Sequence, residues 1–321
     1  MLRKMSFRKI IVSTLALFSM ALIYLMPGNS KLEYTIKNED IEYYYSNSKS
    51  VVYLLDSNDY VARTVIDGGN KHIEESARNI IEAIIIDGKN SNDIPNGFRA
   101  IIPAGTEVLN IGLTDKTLTV NFSRELLDIN EKYEDKMIET IIYSLTSIDG
   151  VNNIVIEVEG EVLDKLPNSK KSLPKILDRS YGINKTYDIN DVHNIDSYTV
   201  YYVSVYNNNE YYVPVTKYIN KNNKDKIKVI IDELSSSPIY EENLMSYLNA
   251  NTSLINYEEK GDILQLNFND AILDSRASNK ILEEVIYTIS LSLIDNYSNI
   301  KEVSFLVNDR KICTNSLKSI E

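Results

Sequence analysis

The chain carries the same series of segments twice, and this repeat is the strongest constraint on its fold. Four segments recur in the same order at offsets of 144 to 149 residues. Units of that length exclude a stacked solenoid, whose repeats span about 20–50 residues. We therefore predict a duplicated globular domain that presents surfaces rather than one catalytic cleft. The paired segments are residues 97–106 with 243–252, 120–122 with 266–268, 141–145 with 285–289, and 154–158 with 303–307.

The amino terminus predicts export or membrane attachment. Four basic residues precede an uncharged stretch at residues 10–26, which Pro27 and Gly28 end. This pattern is typical of a signal anchor whose basic end stays in the cytoplasm. We expect an uncleaved single-pass anchor with the bulk outside the cell membrane, the alternative being secretion after signal cleavage. No cysteine follows the apolar run, so we expect no lipid-modified terminus. The basic residues are Arg3, Lys4, Arg8 and Lys9.

Composition limits the partners. A net charge of −12 disfavours binding to nucleic acid or to anionic wall polymers, because both require basic patches. A hydrophobic content of 43% is enough for packed cores. Cys313 is the single cysteine, which excludes an internal disulfide, and we expect it to be half-buried after the last strand.

The organisation along the chain follows from the repeat and from changes in composition. Residues 164–197 hold Pro167, Pro174, Gly182 and many polar residues with little periodicity, so we predict a linker, one that can lie along the domains and is long enough to let them move or swap partners. The predicted parts are a basic end and membrane anchor at 1–27, a tether at 28–50, a first domain at 51–163, the linker at 164–197, a second domain at 198–312 and a tail at 313–321.

Each copy has the pattern ββαββαβ. In the first copy, Leu118, Val120 and Phe122 alternate with polar residues, which predicts a strand with one buried face. Apolar residues at helical spacing around residues 73–85 and 137–145 predict two helices with one apolar side each. We therefore expect two tandem α+β domains, each with helices on one face of a mostly antiparallel sheet. The helix residues 141, 142 and 145 should pack on the first sheet, and 285, 286 and 289 on the second.

Residues that could carry chemistry do not form a recognisable constellation. His72 and His193 lie in nonequivalent places without ligand-spaced neighbours, so we predict exposed side chains and no metal site. Glu157 and Glu159 are two apart on a predicted strand, but we expect them to face solvent. Ser123 has no histidine placed to activate it. We therefore predict no catalytic, cofactor-binding or metal-binding residues.

The most distinctive short motif is the turn at residues 103–106. Pro103 fixes its own backbone angle, and Gly105 admits conformations that other residues avoid. Asn249 and Asn251 replace them in the second copy. Asparagine tolerates the left-handed region, so we expect the turn to survive there.

These segments together resemble the GerM-domain family of sporulation and germination proteins. The resemblance rests on Tyr53-Leu54, on residues 97–106 and 118–123, and on the strand at 156–160. It covers residues 51–163 well and 198–312 more faintly. It implies a small α+β fold related to the ring-building motifs of secretion systems. It also implies a non-enzymatic role in the channel complex between mother cell and forespore, with other envelope or sporulation proteins as partners, and a homo-oligomer or ring. It implies no catalytic residues and no cofactor.

Two other classes of function remain open at this point. An extracytoplasmic hydrolase of wall or spore polymers would need a cleft with paired carboxylates. A ligand-binding or sensor module could use the tyrosine-rich faces at residues 201–202 and 211–212. A pocket lined by those rings would favour the sensor, and a flat, hydrated sheet would favour an assembly protein.

Overall fold

The computed structural model of the protein describes residues 48–69, 72–191, 193–221, 225–236, 243–275 and 280–316. The predicted membrane anchor at residues 10–26 and most of the predicted tether lie outside these residues. Residues 48–50, which we assigned to the tether, belong to the first strand. Within the described ranges, no helix combines the length and apolarity needed to cross a membrane.

The first copy follows the predicted order with two additional short strands. Its elements are β1 (Ser48–Asp56), β2 (Val61–Gly69), α1 (Ile73–Ile84), β3 (Phe98–Arg99), β4 (Val108–Thr114), β5 (Thr117–Phe122), α2 (Glu134–Leu145), β6 (Asn153–Val158) and β7 (Glu161–Val162).

Within the described residues, the second copy repeats this order without a counterpart of β3, and it follows one strand contributed by the predicted linker. The linker strand is β8 (Thr186–Asp188). The remaining elements are β9 (Ile195–Tyr206), β10 (Asn209–Asn220), α3 (Lys226–Ser235), β11 (Leu254–Lys260), β12 (Ile263–Phe268), α4 (Glu283–Asn296), β13 (Glu302–Val307) and β14 (Arg310–Ser316).

Each copy contains its own four-stranded sheet. The strand orders are β4-β5-β6-β7 and β11-β12-β13-β14. In both sheets the middle pair is parallel, because a helix (α2 or α4) connects the two strands, and the outer pairs are antiparallel. The residues that alternate along β5 are buried as predicted, with Leu118, Val120 and Phe122 fully covered.

The two hairpins form a sheet that the copies share, and here the predicted architecture is wrong. We expected each copy to hold its hairpin in a sheet of its own. Instead β2 of the first copy and β10 of the second lie edge to edge in one six-stranded sheet with β1, β3, β8 and β9. The chain from Ser48 to Ser316, as far as it is described, therefore belongs to one unit.

The helices pack as predicted, but their alignment between the copies is off by one turn. Residues 141, 142 and 145 are fully buried in the first core, and 285 and 289 are buried in the second with 286 beside them. The repeat alignment had paired Ser144 with Thr288. In the structure, Ser144 Oγ accepts the amide of Tyr53 at 2.9 Å, whereas Ser292 Oγ accepts the amide of Tyr201 at 2.9 Å. Ser292 is therefore the equivalent of Ser144.

The segment predicted as a linker is ordered and is part of the first core. Leu166, Leu173, Leu177 and Ile183 are all buried there. Backbone bonds in both directions join Leu177 to Ile154 of β6, at 2.7 and 2.8 Å. The segment is therefore packed into the first core, whereas we had expected it to lie between the copies as a linker.

Cys313 and the strand that contains it differ in part from the prediction. Cys313 lies within β14 rather than after the last strand, so the predicted tail begins as a strand, although the side chain is half-buried as expected.

The turn at residues 103–106 is closed by a hydrogen bond from the Thr106 amide to the Pro103 carbonyl, and the Thr252 amide makes the same bond to the Asn249 carbonyl at 2.8 Å. Asn251, which replaces Gly105, does not adopt the left-handed backbone angle that Gly105 has. Its amide donates to the Asn249 side chain.

Candidate functional site

The junction between the copies contains several buried polar contacts. β2 and β10 run antiparallel, with Arg63 opposite Tyr212 as their one ladder pair. Two residues further along, Val61 faces Pro214, which has no amide hydrogen and cannot continue the ladder. The Asn184 side chain occupies this gap and bonds to both strands.

The Asn184 amide group replaces the missing peptide contact. Its oxygen accepts the Val61 amide at 2.9 Å, and its nitrogen donates to the Val61 carbonyl at 2.8 Å and to the Pro214 carbonyl at 2.7 Å. The side chain is buried. Asn184 has a φ of 45°, a left-handed conformation that asparagine adopts more easily than most residues. The former linker thus joins the two hairpins.

A second buried cluster joins the two copies below the sheet. The hydroxyl oxygens of Tyr53 and Tyr201 are 2.9 Å apart, and Tyr201 donates to Asp295 Oδ2 at 3.2 Å. Arg179 forms an ion pair with the same Asp295, whose side chain is 4% exposed. The guanidinium also lies 4.8 Å from the ring centre of Tyr143. Burial raises the pKa of both Tyr143 and Tyr201 well above the usual range, so these hydroxyls stay protonated.

A charged cleft of about 540 Å³ lies between α2 and the segment that carries Asn184. Burial raises the pKa of Glu139 to about 7, although Lys185 lies 3.3 Å away and opposes the shift. The Glu139 carboxylate also accepts the Asn184 amide at 2.9 Å. Burial lowers the pKa of Lys136 in the same cleft. Both side-chain oxygens of Glu139 have partners, so this residue holds the segment in place and is not available as a catalytic acid.

The carboxylates considered for catalysis do not form a pair. Glu157 is on β6, whereas Glu159 lies in the following turn with a φ of 51°, so the two residues are not both on one strand as the sequence had suggested. Glu159 accepts the Arg124 amide at 3.1 Å. Ser123 Oγ accepts the Glu107 amide at 2.9 Å, which is a structural bond between strands.

The histidines and tyrosines also have structural positions. His72 and His193 are exposed, as predicted. Tyr201 and Tyr202 are buried, and Tyr211 donates to the buried Asp56 at 2.8 Å. These three rings therefore pack inside the protein, and the half-buried Tyr212 packs edge-on against Tyr287 with ring centres 5.8 Å apart. In the part of the chain that the structure describes, no three His, Cys, Asp or Glu side chains are grouped to hold a metal ion.

The duplicated arrangement matches a known family in both copies. The match is to Germane, the family described as sporulation and spore germination, over residues 43–164 and 199–313. The chain is a member of the Germane family. The resemblance found in the sequence is thereby confirmed.

Two relatives show how far the Germane similarity extends. The spore germination protein GerM of Bacillus subtilis is 30% identical over 269 residues, which cover 82% of this chain and 72% of GerM. The solved structure of the tandem GerMN domains of the sporulation protein GerM from Bacillus subtilis superposes with a TM-score of 0.75 at 29% identity. It covers 82% of this chain and 92% of that structure. The tandem architecture is therefore shared across the pair and is not peculiar to this Germane chain.

The residues that join the copies of this Germane chain were missed in the sequence. Arg179 and Asn184 lie in a segment without periodicity, and nothing in their neighbours marks them. One signal was present: Pro214 lies inside a predicted strand, and proline in a sheet is confined to edges or irregular places.

Proposed function

We propose that this Germane-family chain is a non-enzymatic scaffold of an envelope assembly used in spore formation or germination. The observation that carries the proposal is the fusion of the two copies through a shared sheet. Such a fusion holds two equivalent domains at a fixed separation, as a bridge between partner proteins requires. The names of its Bacillus subtilis relatives, a spore germination protein and a sporulation protein, support the biological setting.

The polar side chains support a scaffold rather than an enzyme. The carboxylate with the most perturbed pKa, Glu139, is bonded to Lys185 and to the Asn184 amide, so it stabilises the junction. Perturbed groups in a cleft are candidates for catalysis, but buried ion pairs that hold a fold together perturb pKa values in the same way. The tyrosines at residues 201–202 and 211–212 pack against other parts of the protein, so they no longer support a ligand-binding sensor.

We also propose that residues 10–26 attach the protein to the cell membrane, with the two domains outside. Four basic residues precede the apolar stretch, and residues 25–28 (Leu-Met-Pro-Gly) lack the alternating small residues that signal cleavage requires; both features support an anchor over secretion. Fractionation of the native host tests this: membrane recovery of the full-length chain supports the anchor. A soluble product that begins near Asn29 would leave the secreted form.

The scaffold role is tested by deleting the gene in its native host and counting heat-resistant spores and their germination. We expect a defect that the wild-type gene restores. The Asn184→Ala variant, which weakens the junction, should restore it less well at equal protein levels. Normal sporulation and germination in the deletion strain would contradict the role.

The non-enzymatic part needs its own test. Purified full-length protein is incubated with cell-wall and spore polymers, and released fragments are measured. We expect none. Hydrolysis that is lost in Glu139→Gln or Glu157→Gln, while the fold is retained, would establish an enzyme instead.

A further inference from the structure

Strand β4 is an edge strand of the first copy's four-stranded sheet, and its outer edge is open. Within the described residues, no strand pairs with that edge. Arg78 donates to the Val108 carbonyl at 3.3 Å, where the strand begins. Beyond that point, no described group bonds to the outer side of the strand. An open edge of this kind can accept another strand.

The equivalent strand in the second copy is protected, and β4 is not. β11 ends with three consecutive charged residues at 258–260, which is a usual way to block edge pairing. β4 has no charged residue between 108 and 114. Both strands share a bulge, at Leu109 and Ile255, whose side chains are 46% and 48% exposed. The difference between the copies is therefore the charge on the edge and not its shape.

Gly112, in the middle of β4, is not required by the fold of the molecule itself. Its φ lies outside the left-handed region, and a Cβ built on it would meet nothing within 4 Å. Glycine inside a strand weakens the strand, and it often marks a place where another backbone approaches closely. The equivalent residue in the second copy is Glu258. A side chain at this position would stand out of the sheet on the face away from the core, so glycine leaves that face of the strand clear where a neighbouring strand would cross it.

We propose that β4 pairs antiparallel with β4 of a second copy of this chain, around a two-fold axis through Gly112. The strand is self-complementary, because residues 110–114 are polar, apolar, glycine, apolar and polar in turn. Pairing centred on Gly112 places Asn110 opposite Thr114 of the partner subunit and Ile111 opposite Leu113 of the partner subunit. Ile111 and Leu113 pack on the first core yet remain partly exposed, and the added strand covers them.

The hydrogen-bond pattern of the β4–β5 hairpin favours this register. A two-residue turn at Asp115 and Lys116, with φ of 47° and 63°, joins the strands. By alternation from that turn, residues 110, 112 and 114 bond inward to β5, and the amides of Ile111 and Leu113 point outward. Gly112 then meets its symmetry mate as a non-hydrogen-bonded pair, whose Cα atoms are about 4.5 Å apart. Glycine suits the closest pair of the ladder.

The charge of the molecule restricts where two copies can meet. At −12, copies repel each other over most of their surface, and an uncharged edge is where that repulsion is least. Such pairing is isologous, because the same strand contributes from both subunits. The contact does not depend on the proposed role in sporulation, since purified protein alone should form it.

Disulfide cross-linking of the full-length protein tests the pairing directly. In a Cys313→Ser background, Gly112→Cys places two thiols across the axis within the range that a disulfide spans. We expect a covalent dimer on mild oxidation. Glu258→Cys, at the equivalent position of β11, is the matched control and should form no covalent dimer. Cross-linking that is equal at the two positions, or absent at Gly112→Cys, would overturn the proposal.

Sedimentation equilibrium supplies a second, independent measurement. We expect the wild-type chain to dimerise with rising concentration. Gly112→Glu should raise the dissociation constant of the dimer by at least about tenfold, because two carboxylates then face each other at the axis. Glu258→Gly should leave the constant unchanged. The proposal would be overturned if the wild-type chain stays monomeric, even if β4 then pairs with a strand of another protein. It would also be overturned if the Gly112→Glu variant dimerises like wild type.

Discussion

The hydroxyl oxygens of Tyr53 and Tyr201 lie 2.9 Å apart, so that equivalent tyrosines of the two copies meet in the buried interior. Each tyrosine also donates its backbone amide to an equivalent serine, Ser144 or Ser292, at 2.9 Å. A local two-fold relation between the copies therefore passes between the two hydroxyls. The symmetry ends at Asp295, which accepts a bond from Tyr201 alone.

This asymmetry predicts unequal effects of removing the two hydroxyls. The Tyr201 proton goes to Asp295, so Tyr53 donates to the Tyr201 oxygen. Tyr53→Phe removes one bond and should lower the free energy of unfolding by about 1 kcal/mol. Tyr201→Phe removes two bonds and should lower it by about 2 kcal/mol. Urea denaturation of the full-length variants measures both changes.

The double variant then reports the coupling. With Tyr201 already replaced, Tyr53→Phe removes no further bond and should cost little. We expect a coupling energy of about 1 kcal/mol. Strict additivity of the two single changes would contradict the hydroxyl contact.

Asn184 should be the most sensitive residue of the former linker. Asn184→Ala leaves the Val61 amide and carbonyl and the Pro214 carbonyl without partners and places alanine at a left-handed φ. The free energy of unfolding should fall by about 3 kcal/mol. Asn184→Gly removes the same bonds without the backbone strain, and it should cost about 1 kcal/mol less. Hydrogen exchange measured by NMR should show the Val61 amide exposed in both variants, and a protected amide would contradict the bridge.

Glu139 predicts a specific pH dependence of stability. Burial raises its pKa in the folded state from 4.5 to about 7. Between these values the unfolded chain has lost a proton that the folded chain retains. Stability therefore falls as the pH rises through this window, by about 3 kcal/mol for a shift of this size.

The variant Glu139→Gln isolates this contribution. It cannot titrate, so the difference between its unfolding free energy and that of wild type should change between pH 4.5 and 7 and be constant above about pH 7.5. Asp59 does not interfere: bonds to Lys132 and Arg99 lower its pKa to about 2, and its stabilising effect is lost only as the pH falls towards that value. A parallel pH dependence in Glu139→Gln and wild type would contradict the assignment.

The ion pair of Arg179 with Asp295 should be worth far more than an exposed one. Asp295→Asn leaves the guanidinium largely buried without its counter-charge, and should lower the free energy of unfolding by about 3 kcal/mol. Asp262→Asn is the control, because Asp262 lies 4.0 Å from Lys301 on the surface. It should change stability by less than about 0.5 kcal/mol. Equal effects in denaturation experiments would contradict the burial argument.

Features with a local cause could be predicted from the sequence. The alternation along β5 fixes which residues are buried, and the turn after Thr114 uses two left-handed residues, Asp115 and Lys116, which only a tight hairpin needs. The helix alignment was one turn wrong for a physical reason. A shift of four residues leaves an apolar stripe on the same helix face, so periodicity alone cannot distinguish Ser292 from Thr288 as the partner of Ser144.

Features with a distant cause could not be predicted. The order of apolar and polar residues along β2 reports which face of the strand is buried, but it does not report whether the outer edge meets water or another strand, so the shared sheet could not be predicted from it. Arg179 and Asn184 act through single polar side chains whose partners are far away in the sequence. Their roles become visible only when the two hairpins are placed side by side.

The Asn184 bridge also orders events in time. The Val61 amide finds its acceptor 123 residues later, and its neighbour Pro214 comes later still. While the chain is being synthesised, the first copy emerges with one sheet edge unsatisfied and must wait for the second. Contacts so distant in sequence are slow to form, and an unpaired edge is prone to aggregation in the meantime. The two copies therefore mature together, and the first cannot reach its final state before the second hairpin arrives.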